Sequence, residues 1–90
     1  MAHVLVRHKV ESYAKWRPVF NEHDATRRAA GAIGTPLVFR SGDDPWEVVI
    51  LMEWDELEKA RKFVASDDLR EVMQNAGVTD QPTIFFLSEV

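Results

Sequence analysis

Trp46-Glu47-Val48-Val49-Ile50-Leu51-Met52-Glu53-Trp54 is the stretch on which the fold turns. It follows Ser41-Gly42-Asp43-Asp44-Pro45, where serine, glycine, aspartate and proline supply turn chemistry, and it reads as the clearest strand in the chain. Successive strand side chains point to opposite faces. Val48, Ile50, Met52 and Trp54 therefore share one face, and Val49 and Leu51 share the other. Neither set is polar. A sheet with helices on one side and water on the other alternates apolar and polar residues, so this strand asks for cover on both sides.

Working outward, the short turn implies an antiparallel hairpin with a strand over 33–41. There Leu37 and Phe39 oppose Val38, and Pro36 indicates an edge position or a late start. On the other side, Asp55 and Glu58 form a capping box for a helix to about residue 65, with Leu57, Ala60 and Phe63 or Val64 inward. Ser66-Asp67-Asp68 restarts a helix through Asn75, with Leu69, Val72, Met73 and Ala76 inward and Gly77 as the stop. Residues 82–90 form a last strand in which Ile84 and Phe86 oppose Phe85 and Leu87. The chain begins with a strand over 3–10 that aligns Val4, Val6, His8 and Val10. Ser12 caps a helix over 13–30 that Gly31 ends. Pro18 leaves two readings of that helix: a kink, or a regular helix that starts only near the proline. The order β-α-β-β-α-α-β defines a single α+β domain over 1–90, a ferredoxin-like βαββαβ with a four-stranded antiparallel sheet.

The helices suffice for one face of that sheet. The other face would expose an apolar patch of roughly several hundred Å², more than monomers usually carry. A second copy packed sheet to sheet is the common remedy, so a homodimer through the open sheet face is expected. Composition agrees, because a 90-residue core is modest and the absence of cysteine removes disulfides and thiolate metal sites as reinforcement. The three histidines show no metal-ligand spacing, and no metal or cofactor is expected. A net charge of −4 argues against a nucleic-acid partner. No apolar run approaches the ~20 residues of a membrane span, and the N-terminus has no signal-peptide cleavage pattern, so the expected compartment is the cytoplasm.

Tyr13, Trp16, Phe20, His23 and Arg27 recur at helical spacing and form one stripe that turns polar in its second half while still facing inward. Buried charge is costly unless paired or solvated. One reading makes His23 a general acid/base and Arg27 an anchor for an anionic ligand group. The other makes His23 structural and Arg27 a surface-reaching or ion-paired side chain. His8 shares an apolar face with Val4 and Val6, and faces either the same cavity, as a second candidate base, or the dimer interface. Tyr13, Trp16, Phe39, Trp54 and Phe63 are either walls for a flat ligand or plain core. No G-x-S-x-G elbow and no glycine-rich phosphate loop is present.

The opening Val6-Arg7-His8-Lys9-Val10-Glu11-Ser12-Tyr13-Ala14-Lys15-Trp16-Arg17-Pro18-Val19-Phe20-Asn21-Glu22-His23 resembles small prokaryotic proteins of the dimeric α+β barrel superfamily, the antibiotic-biosynthesis-monooxygenase-like and cyclase-like group. Asp44-Pro45-Trp46-Glu47-Val48-Val49, Glu53-Trp54-Asp55 and Ala76-Gly77-Val78 extend the resemblance over essentially the whole chain. It implies the fold and the pairing. Relatives include cofactor-independent oxygenases of polycyclic aromatics, haem degraders and muconolactone-isomerase-like proteins. The haem degraders use an Asn, a Trp and a ligating His; the helix after the third strand here has no histidine and the first strand no asparagine, which speaks against haem. The resemblance thus implies a small-molecule-binding protein, either an oxygenase- or cyclase-like enzyme for a hydrophobic or aromatic substrate or a non-catalytic dimeric module. Whether it is an enzyme at all is left open by the residues.

Overall fold

The computed structural model describes residues 2–90. The elements are β1 (Ala2–Lys9), α1 (Tyr13–Glu22), α2 (Asp24–Ala30), β2 (Ala32–Arg40), β3 (Glu47–Trp54), α3 (Leu57–Val64), α4 (Asp67–Asn75) and β4 (Thr83–Ser88). They form an α+β fold whose one sheet has the order β2-β3-β1-β4, antiparallel throughout. This is the ferredoxin-like arrangement the sequence predicts.

Register fixes which residues share a face. Val4 sits opposite Met52 and Phe86, Val6 opposite Ile50 and Ile84, and His8 opposite Val48. This set faces the helices, and Val4, Val6, Val48, Ile50 and Trp54 pack there with Trp16, Ala60 and Phe63. Leu5 sits opposite Leu51 and Phe85, Leu37 opposite Leu51, and Phe39 opposite Val49, all on the reverse face. On that face Leu37, Phe39, Phe85 and Leu87 are 40–54% exposed. The doubly apolar pattern of β3 thus becomes one covered face and one bare apolar face. β2 is an edge strand, and its pairing with β3 is irregular between Ile33 and Leu37, where Pro36 offers no N–H.

Two local expectations are corrected. The helix expected over 13–30 is two helices, and α1 runs from Tyr13 straight through Pro18. Ser12 accepts from the Lys15 amide at its start. The interruption comes at His23, with φ −83° and ψ 0°, whose amide is shared between the carbonyls of Val19 (3.2 Å) and Phe20 (3.3 Å). The capping box does not form either: Glu56 holds the cap position without a side-chain bond, and Asp55 instead pairs with Lys59 at 2.8 Å. The Asp55 amide is committed to the Gly31 carbonyl at 3.0 Å. Gly31, at φ +128°, lets the end of α2 approach α3 so closely that a β-carbon would lie 2.9 Å from Lys59. The helix α4 does turn Leu69, Val72 and Met73 inward as expected, though they are only half-buried. Ser66 caps it by accepting from the Leu69 amide, but none of its residues is fully buried.

Candidate functional site

Between the covered sheet face and the helices lies a cavity of about 60 Å³. Its floor is Val4 and Val6 of β1 with Ile50 and Met52 of β3. Trp16, Phe20, His23 and Arg27 of α1 and α2 form one wall, Phe63 and Trp54 another, and Leu69, Val72 and Met73 of α4 the roof. Trp54 pairs with Ala2, six residues along β1 from His8. The two side chains therefore start about 20 Å apart at ~3.3 Å per residue. These two residues line opposite ends of the sheet floor under the cavity.

The wall is a continuous aromatic run. Trp16 and Phe20 stack at 4.8 Å between ring centres, and His8 meets Trp16 edge-on at 5.8 Å. Phe63 bridges His23 (5.7 Å) and Trp54 (5.3 Å). The Arg27 guanidinium lies 3.8 Å over the Phe20 ring. The break between α1 and α2 places His23 where it is: a side chain at the joint of two helices reaches both the cavity and α4 across it.

Three buried polar groups give the site its electrostatics. Arg27 donates to the Phe20 carbonyl at 2.9 Å and lies 3.6 Å from Asp24, which also holds Arg28 at 2.9 Å. Burial pushes its pKa down, because the cation is only partly compensated. Burial likewise pushes the His8 imidazole below its ordinary value, partly opposed by its own backbone carbonyl and then by the charge of Asp80. His8 Nδ1 and Trp54 Nε1 are buried without any hydrogen-bond partner. His23 Nε2 stands 3.1 Å from Asp68 Oδ2. A carboxylate only accepts, so Nε2 carries the proton in this pair and Nδ1 is left as the basic nitrogen.

His8, Trp16, Phe20, His23, Arg27, Trp54 and Phe63 all line this one cavity. Two other candidates do not. Phe39 lies on the bare sheet face, because its register partner Val49 points away from Trp54. Tyr13 is half-buried outside the cavity, against Trp16 at 5.9 Å, and its hydroxyl accepts from Arg17 at 3.3 Å. Asp68 was not among the candidates. In sequence it reads only as an acidic residue in a helix first turn, and its tie to His23 spans 45 residues. Among the described residues no group of three or more His, Cys, Asp or Glu side chains is placed to hold a metal ion, and no helix is long and apolar enough to cross a membrane.

No protein-family model and no curated protein matches the chain. Solved structures do. An antibiotic biosynthesis monooxygenase-like protein of Bordetella bronchiseptica superposes with a TM-score of 0.80 at 17% identity, covering 99% of this chain and 96% of that one. A protein of the same description from Caulobacter crescentus gives a TM-score of 0.75 at 18% identity, covering 99% and 89%. SnoaB, a cofactor-independent oxygenase from Streptomyces nogalater, gives 0.71 at 17% identity, covering 99% and 94%. The chain has the fold of the antibiotic biosynthesis monooxygenase-like proteins, as the sequence resemblance implies.

Proposed function

We propose that the chain binds a flat, largely apolar small molecule with an acidic hydroxyl or an enolisable carbonyl between its helices and sheet, and removes a proton from it. The observation that carries this reading is the pair of partnerless buried polar atoms, His8 Nδ1 and Trp54 Nε1, at opposite ends of the sheet floor under an aromatic-walled cavity. Unsatisfied buried polar groups are rare and call for a partner. Ligand oxygens are fitting ones, because one at the Trp54 end accepts from the indole N–H and another at the His8 end exchanges a hydrogen bond with the imidazole.

His23 is the base in this proposal. Nδ1 takes the proton, and Asp68 holds the ring in the required tautomer and stabilises the imidazolium that forms. The Arg27 cation lowers the energy of the developing ligand anion. An electron-rich carbanion of this kind reduces oxygen directly. Its C–O bond forms to give a peroxide, His23 returns the proton, and loss of water leaves a carbonyl, so that CH2 and O2 become C=O and H2O. The shared fold with an oxygenase described as cofactor-independent supports this choice of chemistry. The working unit is a homodimer joined through the bare apolar sheet face.

A non-catalytic dimeric module is the second reading, and the cavity size favours it. About 60 Å³ is under half of the ~150 Å³ void that admits benzene and far below the ~300 Å³ of ordinary ligand sites. Binding therefore requires the α4 roof to move. Thermal shift with dantron, a flat dihydroxyanthraquinone, separates the two readings. Stabilisation of the wild type that weakens in His23→Ala and Trp54→Ala supports the site; no stabilisation, or equal stabilisation of all three, rejects it. Anthrone turnover to anthraquinone, followed by absorbance in air, then tests for catalysis.

A further inference from the structure

A second concavity, of about 420 Å³, lies on the outer side of α4 against the segment leading into β4. It shares Val64, Leu69, Met73 and Ile84 with the inner cavity, so the two are separated by a partition one side chain thick. Met and Leu side chains re-orient at little cost. The helix that carries two of them has no fully buried residue and is held at its N-terminal end by Ser66 and the Asp68–His23 contact. An element with few buried contacts is the one that opens first.

The chemistry of the outer concavity differs from that of the inner one. Arg70 is the only cation lining it, and the Arg70 guanidinium makes no ion pair or hydrogen bond among the described residues. Gln74 and Gln81 add amide donors on either side of the concavity. Its one carboxylate, Asp80, is drawn to the Lys9 amide, from which it accepts at 2.8 Å. A free guanidinium flanked by amide donors is a receptor for a carboxylate.

We infer that the outer concavity is the second half of the same binding site: the ligand's ring system passes the Leu69–Met73 partition into the cavity, and a carboxylate substituent stays outside on Arg70. This rests on the proposed ligand site and narrows its substrate class to flat aromatic acids. It also explains how a cavity too small for an aromatic ring serves one: when the Leu69–Met73 partition moves aside, the inner cavity joins the outer volume of about 420 Å³, and the joined space exceeds the ~300 Å³ lower bound of ordinary sites.

The test uses dantron and rhein, the same dihydroxyanthraquinone ring without and with a carboxylate, titrated into the full-length protein and followed by ligand absorbance. Rhein is expected to bind about tenfold more tightly than dantron, a difference of about 1.4 kcal/mol. Arg70→Gln, a change at an exposed position, should erase that preference while leaving the dantron Kd within about twofold. Met73→Ala should speed association of both compounds. Equal affinity of the two for the wild type, a preference that survives Arg70→Gln, or unchanged association rates in Met73→Ala would each overturn the inference while leaving the inner site standing. Failure of both compounds to bind removes the inner site and the inference together.

Discussion

Trp54 offers the sharpest test of the partnerless-atom argument, because two substitutions there should behave in opposite ways. The indole is fully buried, packs 5.3 Å from Phe63, and has no acceptor for its N–H. Trp54→Phe keeps an aromatic ring against Phe63. It deletes two ring carbons, worth about 1.6 kcal/mol at ~0.8 kcal/mol each, but it also removes an unsatisfied donor whose burial costs about 1–3 kcal/mol. The terms nearly cancel, so the variant should unfold within about 1.5 kcal/mol of wild type. Trp54→Ala removes the same donor, but it also removes the ring that packs on Phe63 and leaves a large void, so it should lose about 3–5 kcal/mol. In ligand binding Trp54→Phe should instead be impaired by about tenfold, the loss of one hydrogen bond. Urea denaturation followed by far-UV circular dichroism measures stability without relying on tryptophan fluorescence, at one fixed protein concentration because subunit association would add to it. If Trp54→Phe is as destabilising as Trp54→Ala, the N–H has a partner in solution and the argument for a ligand oxygen at that end of the cavity collapses.

Four further outcomes are expected. Phe39→Glu combined with Phe85→Glu places charge on the bare sheet face and should convert a species of twice 10.3 kDa into one of 10.3 kDa in sedimentation equilibrium. His8 is held neutral by burial, with its folded pKa below the unfolded value near ~6.5; stability should be full above that value and fall as pH drops from it toward the folded pKa, by up to about 1.4 kcal/mol per pH unit, and chemical denaturation of His8→Leu should lack this component. In anthrone turnover His23→Ala should lose about 10²–10⁴-fold and Asp68→Asn a smaller factor with an altered pH–rate profile; equal rates in wild type and both variants would remove the pair from the mechanism. Gly77→Ala forces a β-carbon to within 2.8 Å of Glu11 at φ +82°, and should cost about 1–2 kcal/mol or more by thermal unfolding.

What the sequence showed and what it hid divide along the range of the contacts involved. Strand faces were legible because alternation is local: Val4, Val6 and His8 had to share a face, and so did Val48, Ile50 and Trp54. The same parity already set Phe39 opposite Val38, yet its aromatic character suggested the cavity; register overrode residue type. The break at His23 was hidden because Pro18, the residue that advertises disruption, fits within α1 while the interruption falls five residues later. Asp68 was hidden because its partner is distant in sequence. The cavity's size was the least accessible quantity of all, since it depends on how far α4 settles onto the sheet, and a half-buried stripe of Leu69, Val72 and Met73 reads in sequence like a fully buried one.

The edges of the sheet explain why association should use its face. An exposed edge strand is an alternative route to pairing, through backbone hydrogen bonds to a second sheet. Here β2 is interrupted between Ile33 and Leu37, where Pro36 removes a donor and the register shifts, so it presents no continuous ladder. β4 is six residues long, the shortest strand in the sheet. The reverse face has no such interruption: Leu37, Phe39, Val49, Leu51, Leu5 and Phe85 run across all four strands as cross-strand neighbours. Its charged residues include Arg7 and Glu47, which pair with each other at 3.3 Å. Burying that face leaves the cavity face untouched, because the two sets of side chains alternate along every strand and never compete for a position. A variant that dissociates the dimer should therefore keep its ligand affinity, provided the monomer stays folded.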